Sequence, residues 1–310
     1  VVSKGADLFE RLQAMPVKLG DVADIFVGLQ TSADDVYILS VIADPHEARA
    51  FRSKSLSMNV VLEPALLRPI VSGVDINRYC IPVERQFVIF PYQTSGTAYS
   101  LIDFDTLRQL HPRTADYLLK NKSRLAGRED GRMRGSDWYG YVYRKNLARQ
   151  PLPKLMVPRL VTRLYGTLDS DGAYYLDNVD VGGVALKTEY SHLSLGYLLG
   201  VINSKISGWI FESISAPFRN GFRSANKQYL SQLPLGIAGS GAMPFQIQSE
   251  VVSLTSRMLD LHQQSTTVQS SHDRTLIQRQ IEQTDKEIDR LVYELYDLTP
   301  AEIALVESRD

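Results

Sequence analysis

Apolar residues recur at two different periods along this chain, and the switches between them predict its elements. Leu8, Leu12 and Met15 fall on one side of a short helix over 8–15, which must end before Pro16. The segment 19–28 reads as a brief helix or turn entering a strand, with Gly28 relieving the backbone where it meets Gln30 and Thr31. Strands are predicted at 36–39 and 86–92, and 63–73 reads as a helical turn stopped by a glycine. Phe104, Leu107, Leu110, Leu118 and Leu119 give 103–119 the pattern of a helix that Pro112 interrupts or restarts. Further strands are expected at 139–143, 154–158 and 174–176, separated by turns such as 169–172. The richest apolar run, 193–211, predicts a core helix in which Gly196, Gly200 and Gly208 permit close packing.

Beyond a Gly/Ser/Pro-containing linker at 236–244 the period becomes helical throughout. Val251, Leu254, Met258 and Leu261 form one stripe, and Ile277, Ile281, Ile288, Leu291, Val292 and Leu295 form a second. Two helices folded back on one another bury both stripes. Thr299 with Glu302 fits a capping box opening a last short helix that carries Ile303 and Val306. The expected class is therefore α+β: an irregular mixed-sheet domain over 1–235, with room for two sub-lobes, followed by a linker and helical hairpin over 236–310. Short strands without regular strand–helix alternation disfavour a doubly wound nucleotide fold.

Composition changes this picture only through its distribution. The chain has 310 residues, 44% hydrophobic and 22% charged, the balance of a globular and not a disordered protein, and its formal net charge is −1. Between Lys120 and Arg163, however, twelve Lys and Arg face only Glu129, Asp130 and Asp137, so the remainder is acidic. Trp138, Tyr139, Tyr141 and Tyr143 interrupt this basic run, mixing flat rings with phosphate and base-edge donors, the composition of a nucleic-acid surface. A solvated basic face, an acidic protein partner and a small ligand stay open alongside it. Arg219, Asn220, Arg223 and Lys227 make a second acid-free basic patch.

Catalytic signatures are missing. Cys80 is the single cysteine, and His46, His111, His192, His262 and His272 are scattered without the spacing of a metal motif. A lone cysteine suits a reducing cytoplasm. No glycine-rich cofactor turn, P-loop, nucleophile elbow or H-E-x-x-H occurs, and the Gly182-Gly183 pair reads as a turn. No apolar run is long enough to cross a bilayer, and the first residues lack a signal-peptide pattern. The expectation is a non-catalytic chain with no metal and no cofactor of its own.

Several runs, in order, carry a family likeness: Leu19-Gly-Asp-Val-Ala-Asp-Ile-Phe-Val-Gly-Leu-Gln-Thr31, Leu66-Leu-Arg-Pro-Ile-Val-Ser-Gly-Val-Asp-Ile-Asn-Arg-Tyr79, Val88-Ile-Phe-Pro-Tyr92, Pro153-Lys-Leu-Met-Val-Pro-Arg159, Leu198-Leu-Gly-Val-Ile-Asn-Ser-Lys205, Asn226-Lys-Gln-Tyr-Leu-Ser-Gln-Leu-Pro234 and Leu291-Val-Tyr-Glu-Leu-Tyr-Asp-Leu-Thr299. Through them the chain resembles the TaqI-like C-terminal specificity region of adenine-N6 DNA methyltransferases and of Eco57I-like single-chain restriction-modification enzymes. That resemblance implies a prokaryotic target-recognition domain that holds double-stranded DNA and reads a short site. It also implies an N-terminal methyltransferase domain of the same parent chain, which would use S-adenosylmethionine; the start without methionine fits such a missing neighbour. Nuclease activity in the parent stays open.

On this reading Arg124, Arg128, Arg132 and Arg134 are candidates to enter a groove, and Trp138 accompanies them. Arg144, Lys145, Lys154, Arg159 and Arg163 are candidates to hold phosphates, and Arg219, Asn220, Arg223 and Lys227 form a second contact region. Gln30 and Thr31 are weaker candidates, with a structural turn as the competing account. The alternative function is a protein-interaction or assembly module of a DNA-modification or phage-defence complex, resting on the apolar stripes of the helical hairpin.

Overall fold

A computed structural model describes residues 2–42, 50–95, 98–236 and 245–308. Among them the fold is mixed α+β, with two larger irregular sheets, two two-stranded ladders and C-terminal helices, in agreement with the expected class. The first sheet is antiparallel and four-stranded, in the order Ala23–Val27, Val181–Leu186, Lys154–Pro158, Thr167–Asp169. Its inner face packs on the helices Leu195–Asn203 and Lys205–Ile214, and the C-terminal helices Phe245–Thr267, Ser271–Leu295 and Pro300–Glu307 join the same hydrophobic cluster. The single helix expected over 193–211 is two. Ser204 leaves helical geometry and its hydroxyl caps the second helix by accepting from the Ser207 N–H, so the chain can turn between two apolar segments.

The second sheet has six strands, in the order Tyr175–Leu176, Leu67–Val71, Gln86–Ile89, Ile38–Ile42, Ala50–Ser53, Met58–Val60. Only its first pair is parallel. Its cluster contains Val36, Tyr37, Phe51, Phe87, Phe90, Leu107 and Leu118, with Phe104–Leu110 and Pro112–Lys120 breaking at His111 and Pro112 as the sequence suggests. Two local expectations fail here. Residues 34–37 form a helical turn before the strand, because Asp34 and Asp35 favour a helix start, and 67–71 is a strand after a short 3-10 turn at Pro64–Leu66.

A third, smaller apolar cluster joins the sheets: Phe26, Met156, Val181 and Ala185 of the first meet Val71 and Leu176 of the second. The chain crosses between them at Gly28, where a Cβ would lie 2.0 Å from the Leu176 carbonyl oxygen, so only glycine fits. The Leu29 N–H then donates to that same carbonyl at 2.8 Å. Arg78, next to buried Tyr79, pairs with Asp285 at 2.5 Å and donates to the Asn203 carbonyl at 2.7 Å, fastening the long helix 271–295 to the body. The linker expected at 236–244 lies outside the described residues except for Gly236.

Candidate nucleic-acid interface

The first basic stretch is not a loop but a folded knot. Lys122–Ala126 is a helix, and the chain kinks out of it within Arg128–Gly131, where Glu129 and Asp130 are both left-handed at φ 50° and 55°. Arg128 sits at its centre, only 8% exposed. Its guanidinium donates to four carbonyls, those of Leu125 (2.9 Å), Thr31, Trp138 and Gly140 (each 2.8 Å), and lies over the Tyr37 ring. Four of its five N–H donors are spent inside the protein, so Arg128 is corrected from groove reader to structural staple.

The same reasoning removes other candidates. Lys154 is fully buried, paired with Asp169 at 2.5 Å and donating to the Gln150 carbonyl at 2.7 Å; burial lowers its pKa against the pull of Asp169. Trp138 packs against Phe104 and Tyr139 beneath Lys122. Tyr139 and Tyr141 are buried as well, and their hydroxyls donate to the Ile102 and Ile89 carbonyls, each at 2.5 Å. The Tyr141 N–H in turn donates to the Tyr92 hydroxyl, whose pKa burial pushes up to about 12. The 139–143 strand expectation fails because aromatic anchoring, not ladder pairing, satisfies this backbone; only Tyr143 bridges, to Gln30. Thr31 is buried, its hydroxyl donating to Asp34 and accepting from the Ala33 N–H, the structural turn that competed with a contact role.

What remains exposed divides into two groups. Arg124 is ion-paired with Asp35 at 2.6 Å, while Arg132 and Arg134 are exposed on the knot. These three do not line the cleft where the two basic segments meet. That cleft, about 250 Å³, is lined by Ile25, Phe26, Val27, Asn146, Arg149, Arg159, Gly182, Ala225, Asn226 and Lys227. Segments far apart in sequence meet here because the short strand Leu160–Val161 pairs with Arg223–Ser224, and the Ala225 N–H donates to the Arg159 carbonyl at 2.8 Å. An adjoining depression is lined by Tyr99, Arg144, Lys145, Asn146 and Arg149, so 144–149 forms a ridge whose Asn146 and Arg149 line both.

Charge in this cleft is only partly compensated. Arg149 lies 3.4 Å from Asp24, Arg144 pairs with Asp137, and Arg159 donates to the Asn178 carbonyl at 3.1 Å. Lys145 and Lys227 are exposed, and the buried side-chain amide oxygen of Asn226 has no hydrogen-bond partner among the described residues. Arg163 and Arg223 are half-buried; Arg223 donates to the Ser215 carbonyl at 3.0 Å, and one Arg163 guanidinium nitrogen is buried without a partner among the described residues. Arg219 and Asn220 are exposed on a tight turn, and Gln30 is exposed beside Tyr143. Asn146, Arg149 and Asn226 line the cleft without being among the contact candidates that the sequence marks. Left-handed Asn146, at φ 63°, turns the ridge, and asparagine is the side chain best suited to that geometry. Among the described residues no group of three or more His, Cys, Asp or Glu can hold a metal, and no helix is long and apolar enough to cross a membrane.

Residues 68–235, which include both basic segments and all of the cleft lining except Ile25, Phe26 and Val27, match the sequence model of the TaqI-like C-terminal specificity domain. Nearly the whole chain, 97% of it, is similar at 23% identity to 32% of the type II restriction enzyme and methyltransferase RM.Eco57I of Escherichia coli. A 151-residue part, 49% of the chain, is 28% identical to a segment making up 23% of the type II methyltransferase M.BstVI of Geobacillus stearothermophilus. The chain thus spans 32% or less of the length of these two relatives.

Proposed function

Because the chain belongs to the TaqI-like C-terminal specificity domain family, we propose that it binds double-stranded DNA and reads a short sequence for a larger adenine-N6 DNA methyltransferase or restriction-modification protein of a prokaryotic cytoplasm. Methylation, with S-adenosylmethionine as donor, belongs on this reading to another domain of the parent, N-terminal to the specificity region. Residues 1–235 act as the target-recognition domain, and 236–310 as a linker and helical hairpin that serves as a packing or spacer region.

The observation that carries the reading is the pairing of Leu160–Val161 with Arg223–Ser224, which seats two basic segments around one cleft. Arg144, Lys145, Arg149, Arg159 and Lys227 present cations at a spacing set by folded backbone, as phosphate contacts require. Arg132 and Arg134 stay as base-edge candidates, since both guanidiniums are exposed. Arg124 is a weaker one, because Asp35 already holds it.

A salt series on duplexes of different sequence tests this. Log affinity should fall linearly with log salt, and Arg159→Ala or Lys227→Ala should each reduce the slope by about 1 on every duplex. Arg132→Ala and Arg134→Ala should relax sequence preference instead. A flat salt dependence would reject the reading and favour an assembly module.

A further inference from the structure

The second basic patch ends in a feature that phosphate binding does not use. Arg219-Asn220-Gly221-Phe222 is a two-residue hairpin turn: Asn220 and Gly221 are both left-handed, at φ 57° and 77°, and the Phe222 N–H donates to the Arg219 carbonyl at 3.3 Å. Asn-Gly is the pair that accepts two positive φ values at least cost, and this turn matches the twist of the strands it joins. Below it the Phe218 N–H donates to the Phe222 carbonyl at 2.6 Å, Pro217 bridges Arg223, and the Ser224 N–H donates to the Ala216 carbonyl at 3.4 Å. The base is fixed to the cleft, because Arg223 and Ser224 pair with Val161 and Leu160.

Phe218 and Phe222 flank the turn at 59% and 39% exposure. Neither belongs to a hydrophobic cluster or an aromatic pair among the described residues. Residues 216–222 are all exposed, and nothing stands within 4 Å of a Cβ built on Gly221. Two rings therefore stand in water on a stiff stem, where ordinary folding would bury them. No Asp or Glu occurs from 213 to 249, so the tip is both aromatic and cationic. That mixture, continuous with a basic cleft, suits a polyanion with flat faces between its charges better than an apolar protein groove.

We propose that the hairpin 216–224 is a wedge: on the bound duplex Arg219 and Arg223 lie along phosphates while Phe218 and Phe222 press between base steps, unstacking and unwinding them. This rests on the DNA-binding reading above and adds deformation to it. It implies recognition partly through deformability, since flexible pyrimidine–purine steps unstack most easily.

Sealing a nicked plasmid with ligase while the chain is bound, then removing protein and resolving topoisomers, measures unwinding without knowledge of the recognised site. The wild-type chain should shift the distribution toward lower linking number. Phe218→Ala/Phe222→Ala should still retain the plasmid at low salt but lose at least half of that shift. Both rings are exposed, so an unchanged melting transition is expected of the variant. Binding by the wild type without a shift, or an equal shift from the variant, would overturn the wedge and leave DNA binding standing. Failure of both proteins to retain plasmid at low salt would instead overturn the DNA-binding reading, and the wedge with it.

Discussion

Replacing Arg128 by methionine separates a structural arginine from a DNA-reading one. The substitution keeps most of the aliphatic stem but removes donors to the carbonyls of Leu125, Thr31, Trp138 and Gly140. The Gly140 carbonyl keeps only a share of the Tyr37 hydroxyl, which lies 3.2 Å from it and 2.8 Å from the Tyr139 carbonyl, whereas the Thr31 and Trp138 carbonyls lose the side-chain donor that reached them. A net hydrogen bond is worth ~1 kcal/mol, more when charged, and each stranded buried acceptor costs ~1–3 kcal/mol. The expected loss is therefore ~3–5 kcal/mol, a large share of the ~5–15 kcal/mol that holds a typical domain. At about 2–4 °C per kcal/mol the unfolding transition should fall by roughly 10 °C. Thermal and urea unfolding followed by tryptophan fluorescence reads this directly, because Trp138 lies in the affected knot. Below the transition, the sequence preference of DNA binding should match wild type. An unchanged transition together with relaxed preference would refute the reasoning and return Arg128 to the groove.

Other outcomes follow from the same interior. Lys154→Met leaves Asp169 buried beside an apolar neighbour, so a loss of ~3–5 kcal/mol is expected in urea unfolding; a reduced salt slope in DNA binding with normal stability would contradict this assignment. Gly28→Ala should destabilise the junction of the sheets by more than ~3 kcal/mol, since the clash is with backbone, and a melting transition within error of wild type would disprove the close approach. Asp289 accepts the Lys205 N–H at 2.9 Å, and burial, reinforced by nearby Asp285 and opposed by Arg78 and Lys205, pushes its pKa up from 3.8 to about 6. The folded chain thus holds this proton more tightly than the unfolded one, and the contribution is complete below pH 3.8 and lost as pH rises through about 6. Asp289→Asn keeps the acceptor for Lys205 and should gain on wild type across that window, levelling at up to ~3 kcal/mol. A stability difference independent of pH would rule out Asp289 as the titrating group.

Local patterns determined much of this protein. Periodicity located the long C-terminal helices, Thr299 and Glu302 form the expected capping box at 2.8 Å, and Pro112 divides the helices on either side as its missing N–H requires. Glycine at 28 was legible as a constrained point, and Asn220-Gly221 carried a hairpin signal that a reading for charge passed over. These features depend on neighbours within a few residues, so sequence alone expresses them.

Which charges face solvent was decided only in three dimensions. Arg128 and Arg132 look equivalent in a basic run, yet one is spent on carbonyls contributed by Thr31 and Gly140 while the other is exposed. Arg149 and Asn226 come into one cleft because two short strands distant in sequence happen to pair. Composition counts charges, but burial and hydrogen-bond partners determine whether a charge is free to act, and those partners are set by long-range packing.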